Sequence, residues 1–317
     1  MSRRSPPILL LLLFWLLPLP AFAQFARSIC SDPSQSMLWE LQSAALDQRN
    51  VQIHLLGSIH VGKAGFYPLH PEVEQRFRAA DHLVFEVDPQ AVASPQVAKQ
   101  MQLRGMLPQG QTLQDVLSPE TLGSLEQVLR GIGIPLANFM QFKPWMVALL
   151  LTNLQAEALG YDSHFGLESY LAGQRPSDAD ILELESLEQQ LGMLETLHPD
   201  TFLGYSLHEY AGGSALMESM VAAWLCGDKQ TLEDIVHQGE AQLEAAAPAQ
   251  RAHLEQIHDS LFTRRNLSMA DGIQAFAEAG QGSYFVVVGA GHLLGAGSVV
   301  ELLQQRGYEV APVLLSP

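Results

Sequence analysis

The 317-residue sequence lacks several features that would assign it to a common functional class. Cysteine is confined to Cys30 and Cys226, with no Cys-x-x-Cys pair, so a thiolate zinc site and a thiol redox motif are not supported. Basic residues are also scarce, because 17 lysines and arginines face 34 aspartates and glutamates, for a formal net charge of −17. An acidic surface repels phosphate backbones, so we expect no nucleic-acid partner.

Two common functional motifs are missing as well. No G-x-S-x-G occurs, so the nucleophile turn of a serine hydrolase is not supported. A glycine-rich turn at 289–295 resembles a dinucleotide-binding loop, with Glu309 as its ribose carboxylate. Its glycines are spaced G-x-G-x-x-x-G rather than G-x-G-x-x-G, however, and too little chain follows for the remaining strand–helix units. The dinucleotide interpretation is therefore not favoured.

The N-terminus has the pattern of a secretory signal peptide. Arg3 and Arg4 precede a short apolar stretch at 8–17, and Ala21-Phe-Ala23 supplies small residues at the offsets of a cleavage site. An uncleaved membrane anchor is the weaker interpretation, because the stretch is short and two prolines interrupt it. The sequence thus predicts a signal peptide at 1–23 and a periplasmic or secreted mature protein, with no stable membrane span after cleavage.

Both cysteines fall in the predicted mature chain, and two interpretations of them stay open. In an oxidising compartment Cys30 and Cys226 could form a disulfide that ties the N-terminal arm to the helical middle of the chain. The alternative is a pair of unpaired structural thiols.

Strand-like segments are concentrated at the two ends of the chain. Residues 37–41 and 51–56 predict an antiparallel pair around a polar turn, and residues 83–85 are apolar, as in a strand buried on both faces. From Tyr284 the pattern predicts strand, glycine turn, helix and last strand, which is a βαβ unit. Residues from about 92 to 270 show helical spacing instead. We therefore expect an α/β (α+β) fold with a central mixed sheet and a large helical insertion.

The same turn motif follows two of the predicted strands. One strand leads into Gly57-Ser-Ile-His60 and the other into Gly289-Ala-Gly-His292. Ligands of open α/β sheets bind outside the carboxyl ends of the strands, so two histidines delivered there can share one site. A single G-x-x-H is a weak signal, because a histidine is often satisfied within its own turn. Its repetition at two strand ends favours a functional site.

A third strand end supplies a carboxylate. Glu86 directly follows residues 83–85 and is expected beside His60, although alone it would be interpreted as solvated. Two neutral imidazoles and a carboxylate can hold a catalytic divalent cation, with water in the open position. Glu86 could be either a ligand or the general base of such a site. Arg265 could stabilise an oxyanion or a carboxylate of the substrate.

Other titratable residues receive simpler interpretations. His54 lies in the middle of a predicted strand and is expected in the core. The non-helical segment at 160–168 carries several titratable groups, including His164 and Glu168, whose roles stay open. A solvated helix face is expected to hold three acidic residues, Glu183, Glu185 and Glu188.

Taken together, the motifs resemble the TraB/PrgY/GumN family, whose members include the Tiki metalloproteases, and the resemblance covers nearly all of the predicted mature chain, 24–317. The exported single-domain layout is most similar to the bacterial GumN-like branch. The residues that carry the resemblance are Leu56-Gly-Ser-Ile-His-Val-Gly-Lys63, Phe66-Tyr-Pro-Leu69, Ala80-Asp81, Val84-Phe-Glu-Val-Asp88, Lys143-Pro-Trp145, Gly160-Tyr-Asp162, Gly166-Leu-Glu168, Leu184-Glu185, Gln190-Leu191, Trp224, Gly227-Asp228, Arg265-Asn266 and Val288-Gly-Ala-Gly-His-Leu293.

The resemblance implies a metal-dependent hydrolase with a peptide or protein substrate. Its two G-x-x-H histidines correspond to His60 and His292, its strand-end glutamate to Glu86, and its arginine–asparagine pair to Arg265 and Asn266. The Tiki members use manganese or cobalt to cleave peptide bonds; histidine and carboxylate donors also suit zinc. Members often have Asp where this chain has Glu168. The alternative function is a non-catalytic cell-envelope protein that binds a metal, haem or a peptide signal.

Overall fold

The computed structural model describes residues 30–316, apart from residues 31, 33, 178, 212–213 and 237–247. The predicted signal peptide at 1–23 therefore lies outside the described residues. Six strands form one mixed sheet in the order β4-β3-β5-β2-β1-β6. They are β1 (Leu38–Gln42), β2 (Val51–Ser58), β3 (His82–Phe85), β4 (Asp180–Glu183), β5 (Gly282–Gly289) and β6 (Glu309–Pro312).

The centre of the sheet is parallel and buried. β2 and β5 pair in parallel along their length, with Ser58 opposite Gly289 at the carboxyl ends. β3 runs parallel to β5, and β4 runs parallel to β3. The five apolar residues from Tyr284 to Val288 are all buried, as expected for a strand covered on both faces. Four strands therefore end at one edge of the sheet, and the predicted α/β fold is confirmed.

The other side of the sheet is antiparallel. β1 pairs antiparallel with β2, as predicted, and β6 pairs antiparallel with β1. The polar segment between β1 and β2 was predicted as a turn, and this is wrong because it forms helix α1 (Ala44–Arg49). Ser43 caps α1 by accepting a hydrogen bond from the Leu46 N–H, and Asn50 ends it in the left-handed conformation.

Helices make up most of the chain between β3 and β5. After α1 the helices in chain order are α2 (Pro71–Ala79), α3 (Pro89–Val92), α4 (Pro95–Arg104), α5 (Leu113–Val116), α6 (Pro119–Gly131), α7 (Pro144–Ala158), α8 (Leu167–Gly173), α9 (Leu187–Thr196), α10 (Pro199–Ala211), α11 (Ser214–Cys226), α12 (229–236), α13 (Pro248–His258), α14 (Arg264–Ala279) and α15 (Val299–Gln305). A π-helical segment, Asp259–Thr263, joins α13 to α14.

The helical insertion has an apolar core of its own. Leu113, Leu125, Leu129, Val147 and Leu203 are fully buried against one another and their neighbours, apart from the cluster that surrounds the sheet. Within the described parts of the chain, no helix is both long enough and apolar enough to cross a membrane. Residues of the insertion also reach the carboxyl edge of the strands, where Arg265 pairs with Glu86.

The predicted C-terminal βαβ unit, formed by β5, α15 and β6, spans more of the sheet than two adjacent strands would. β5 and β6 point the same way and are joined through α15, but β2 and β1 lie between them. β6 thus closes the edge beside β1 rather than extending the parallel part of the sheet. The last strand, predicted over 309–315, ends at Pro312, and the Val313 N–H adds one more hydrogen bond to the Leu38 carbonyl at 2.9 Å.

The two cysteines form a disulfide. Cys30 and Cys226 are joined with a Cα–Cα distance of 5.3 Å, which ties the N-terminal arm to the end of α11. The same end of α11 carries Trp224, whose indole N–H donates to the Gly57 carbonyl at 2.8 Å. The structure thus decides between the two interpretations in favour of pairing, and it connects the disulfide to the end of β2.

Candidate functional site

The two G-x-x-H turns leave the sheet side by side. β2 and β5 are neighbours, and Ser58 stands opposite Gly289 where both strands end. His60 follows two residues after β2, and His292 follows three residues after β5 in a short 3₁₀ turn. The turns are in close contact, because a methyl group added at Gly57 would lie 3.2 Å from the Cα of Ala290. The parallel register therefore delivers both histidines to one place.

The histidines and Glu86 converge on Gly289. A methyl group added at Gly289 would lie 3.3 Å from Glu86 Oε1, 3.5 Å from His292 Cδ2 and 3.6 Å from His60 Nε2. All three predicted ligands thus surround one point above the end of β5. Glycine at this position leaves the space between them open, and its φ of −50° is one that other residues also adopt.

His292 is buried and held as a neutral ring. Asn266 donates its amide to the Gly297 carbonyl at 2.9 Å, so its Oδ1 is free to accept from His292 Nδ1–H at 2.6 Å. This bond leaves the lone pair of His292 on Nε2. Burial dominates the electrostatics and lowers the pKa of His292 to about 4. Only 7% of the side chain is exposed, and Phe262 covers it with ring centroids 5.5 Å apart.

His60 is exposed and held by a carboxylate. Its Nδ1 lies 2.8 Å from Glu168 Oε1, and the Ser58 hydroxyl donates to the same oxygen at 2.5 Å. The nearby negative charge of Glu168 outweighs desolvation and raises the pKa of His60 to about 9, although 71% of the side chain is exposed. Burial opposes ionisation of Glu168, but His60 and the two hydrogen bonds lower its pKa to about 2. Glu168 and Ser58 were not assigned a role from the sequence.

Glu86 is fixed from two sides at the end of β3. The Gly289 N–H donates to its Oε1 at 2.7 Å, and Arg265 Nη2 donates to its Oε2 at 2.5 Å. Burial opposes ionisation, but the charges of Arg265 and His60 and the hydrogen bond from the Gly289 N–H lower the pKa of Glu86. Its Oε1 lies 3.9 Å from His292 Nε2. Glu86 is therefore an ionised carboxylate that faces the two imidazoles.

Arg265 joins Glu86 to a second buried carboxylate, Glu185. Its Nε and Nη2 donate to the two oxygens of Glu185, each at 2.8 Å, in addition to the bond with Glu86. The remaining side of the guanidinium donates to the Leu261 carbonyl at 3.3 Å. Arg265 and Asn266 lie in the first turn of α14. The π-helical segment before that turn is a feature found frequently at functional sites.

The assignment of Glu185 to a solvated helix face is wrong. Its backbone N–H donates to the Glu86 carbonyl at 2.8 Å, so pairing between β3 and β4 continues past both strands and carries Glu185 inward beside Glu86. Gln190 donates to Glu185 at 3.0 Å, from the first turn of α9. Glu188 is exposed on α9, as predicted, whereas Glu183 is exposed but ends strand β4 rather than lying on a helix. The signal that could have identified Glu185 is its place directly after a strand end, as for Glu86.

The side chains fit a divalent cation in chemical type. Both imidazoles are anchored through Nδ1 and leave Nε2 for a ligand, which is the usual arrangement of metal-binding histidines. Arg265 pairs with Glu86 and Glu185, and His60 pairs with the third carboxylate, Glu168. When both histidines are neutral, these three carboxylates exceed the one guanidinium, and a cation would balance the excess negative charge. As these side chains lie, no group of three or more His, Cys, Asp or Glu residues within the described part of the chain is ready to hold a metal ion.

Comparisons with known proteins agree with this picture of the chain. A model of the TraB/PrgY/gumN family matches residues 37–312. The protein YbaP of Escherichia coli strain K12 is 28% identical over 259 residues, which cover 80% of this chain and 89% of YbaP. The metalloprotease TIKI1 of Danio rerio is 25% identical over 330 residues, covering 87% of this chain but only 62% of TIKI1. Human metalloprotease TIKI1 is 24% identical, with 87% and 61% of the two chains covered.

No solved structure matches the chain. The family model, by contrast, spans all six strands of the sheet and the three strand ends at which the histidines and Glu86 lie. The chain therefore belongs to the TraB/PrgY/gumN family.

Proposed function

We propose that the protein is an exported metal-dependent hydrolase that cleaves peptide-like bonds at the carboxyl edge of its sheet. The observation that carries this proposal is the convergence of His60 Nε2, the His292 ring and Glu86 Oε1 around Gly289. Relatives named metalloproteases support the reaction class and a protein substrate. The signal peptide at 1–23, the mature domain at 24–317 and a periplasmic or secreted location belong to the same proposal.

In this proposal His60 and His292 hold the ion through Nε2, and Glu86 is either the third ligand or the general base. A bound divalent ion (manganese or cobalt, with zinc a further option) lowers the pKa of its water and polarises a carbonyl group. Arg265 keeps Glu86 ionised and in place, because its guanidinium donates to both Glu86 and Glu185. Substrates approach from the side of His60, whose ring is the exposed one.

The test uses the mature protein from residue 24 and a mixed peptide library. We expect new peptide termini with Mn²⁺ and none after a chelator is added. His60→Ala and His292→Ala should lose both bound metal, by elemental analysis, and cleavage, while remaining folded by circular dichroism. His208→Ala, on an exposed face of α10, is the matched control and should behave as wild type. Full metal content in both site variants would show that the assignment is wrong.

One observation favours a second candidate, a non-catalytic binding protein of the cell envelope. The protein itself supplies hydrogen-bond partners to both oxygens of Glu86 and to most donors of Arg265. Such an arrangement suits a rigid binding site as well as a catalytic site. Such a protein would retain a metal, haem or a peptide signal without turnover. In the same library experiment it would form stable stoichiometric complexes with no new termini.

A further inference from the structure

His60 has an exposed ring and a firmly placed partner. Its side chain is 71% exposed, whereas the side chain of Glu168 is only 20% exposed and accepts from the Ser58 hydroxyl as well as contacting His60 Nδ1. Among the described contacts of the ring, the carboxylate of Glu168 is the one that defines its direction. The orientation of this proposed ligand is thus determined outside its own turn.

Glu168 is brought to His60 by a docked segment of chain. The Leu167 N–H donates to the Ile59 carbonyl at 2.9 Å, directly before His60. Gly166 packs so closely that an added methyl group would overlap the His60 carbonyl. Glycine is therefore needed here for close approach of two backbones. The start of α8 is therefore attached directly to the turn that carries His60.

Two more contacts hold the same segment. Gly62 and Asp162 exchange backbone hydrogen bonds of 3.0 and 2.9 Å, and the Tyr67 hydroxyl donates to the Phe165 carbonyl at 2.8 Å. Residues 162–168 are therefore fastened on both sides of the His60 turn. A surface carboxylate that paired with His60 by chance would not require this set of backbone contacts.

The consequence for His60 is chemical. A carboxylate that accepts from Nδ1–H retains the proton on that nitrogen and leaves the lone pair on Nε2. His60 Nε2 is the atom that lies 3.6 Å from the point above Gly289, where Glu86 and His292 meet. The contact with Glu168 thus directs Nε2, which holds the lone pair when the ring is neutral, towards the other two proposed ligands.

We propose that Glu168, assisted by Ser58, is the positioning residue that makes His60 a competent metal ligand. The proposal rests on the proposed function, because it requires that a divalent ion binds between the histidines. It assigns to Glu168 and Ser58 the role for His60 that Asn266 and the Gly297 carbonyl have for His292. Metal affinity at the site then depends on a residue that does not itself touch the ion.

The first experiment titrates the mature metal-free protein with Mn²⁺ by calorimetry at a series of pH values. The series separates the cost of releasing the His60 proton from the affinity of the neutral ring, and the affinities compared between variants are those of the neutral ring. We expect Glu168→Gln, which keeps the size of the side chain and removes its charge, to weaken binding by about 10- to 100-fold, as loss of a partner of a metal-bound histidine usually does. Glu168→Asp restores the carboxylate and should bind more tightly than Glu168→Gln. Glu195→Gln, which removes a carboxylate paired with Arg104 and Lys143 in the helical insertion, is the control and should match wild type.

Two spectroscopic measurements distinguish positioning from a general effect on stability. With Co²⁺, the visible spectrum of Glu168→Gln should differ from that of wild type, because the contribution of His60 to the coordination changes. In the metal-free wild type above pH 9, histidine ¹⁵N resonances should show the His60 proton on Nδ1. This second measurement needs no variant, so it tests the positioning role of Glu168 even if Glu168→Gln does not fold.

The outcomes are separable. If wild type binds Mn²⁺ and Glu168→Gln binds it equally tightly with an unchanged Co²⁺ spectrum, the positioning role is overturned while the proposed function stands. A His60 proton on Nε2 in wild type overturns the positioning role as well. If wild type itself binds no divalent ion, the proposed function fails, and the positioning role fails with it.

Discussion

The two sides of the site use the same G-x-x-H turn in opposite environments. The open side consists of His60 with Ser58 and Glu168, and the buried side consists of His292, Asn266, Glu86, Glu185 and Arg265. His60 is 71% exposed beside a carboxylate, whereas His292 is 7% exposed beside an amide. The pKa is raised to about 9 for His60 and lowered to about 4 for His292.

The G-x-x-H motif therefore places a histidine at the end of a strand but does not determine the protonation state of that histidine. His292 is neutral because α14 and the π-helical segment cover it, with Phe262 packed on its ring. The charge of Glu168, in the 162–168 segment, raises the pKa of His60 and favours its protonated form. Two titratable groups whose environments move their pKa values apart are characteristic of sites with divided roles. In the proposed function, His292 would bind the metal as a neutral ring, whereas His60 would first release a proton.

The largest expected effect is on the buried side. Arg265→Ala leaves Glu86 and Glu185 buried without their cation, and removal of one partner from a buried ion pair costs about 3–5 kcal/mol. Denaturant unfolding should show a loss of that size. The matched control is Arg264→Ala, because Arg264 is 62% exposed and pairs with Asp259; its loss should stay below about 1 kcal/mol. Equal losses in the two variants would contradict the distinction between buried and exposed pairs.

Gly289→Ala tests whether the two sides meet. The added methyl group would lie within 3.6 Å of Glu86, His292 and His60, and would occupy the space between them. A misplacement of about 1 Å at a reaction centre can reduce the rate by about 100-fold, and we expect a loss of that order in metal-dependent cleavage. Gly123→Ala is the control, since nothing lies within 4 Å of a methyl group added there. Unchanged metal binding and cleavage in Gly289→Ala would place the reaction elsewhere.

Asn266→Ala tests how much the Asn266 amide contributes to stability and to metal binding on the buried side. The substitution leaves His292 Nδ1–H buried without its acceptor, which costs about 1–3 kcal/mol. Mn²⁺ affinity should also fall by about 10- to 100-fold. Asn153→Ala, at an exposed position of α7, should change neither quantity. A variant with normal stability but weaker metal binding would indicate that the amide orients His292 without stabilising the fold.

The smallest effect is the pH dependence of the metal-free protein, which should have opposite signs on the two sides. His292 has a folded pKa of about 4 against an ordinary 6.5, so its contribution to stability is complete above 6.5 and is lost as the pH falls towards 4. His60 has a folded pKa of about 9, so its contribution is complete below 6.5 and is lost as the pH rises through 9.

Histidine NMR titrations of the metal-free protein measure the two midpoints directly. His292→Gln should flatten the acid limb of the unfolding free energy, and His60→Gln should flatten the alkaline limb. Midpoints near 6.5 for both rings would remove the electrostatic contrast between the two sides.

Much of the sheet followed from local pattern. The apolar runs that became β2, β3 and β5 are continuous because these strands are covered on both faces. The connection between β1 and β2 was missed, because six residues were interpreted by their polarity, whereas Ser43 and Asn50 supply the two caps of a helix. The position of β6 beside β1 was also beyond local pattern, since strand order is decided by which edges remain free after the other strands have paired.

Local pattern also identified some residues of the candidate site and missed others. His60, Glu86 and His292 could be named from their places after strand ends, because the carboxyl ends of parallel strands meet at one edge. Glu185 was assigned to solvent, since a glutamate before a helix has no local mark of burial, and only the extended pairing of β3 with β4 turns it inward. Glu168 stood in an irregular segment, 108 residues after its partner His60, and nothing in that spacing indicates a contact.

Local sequence pattern was enough to identify the candidate site residues, which are two histidines and a glutamate at the ends of apolar strands. The charge and tautomer of each side chain depend on the fold, because the neighbours that set them are remote in the chain. These neighbours are Glu168 for His60, Asn266 for His292 and Arg265 for Glu86. The physical reason is that electrostatic and hydrogen-bond effects act over a few ångströms of space, whatever the separation in sequence.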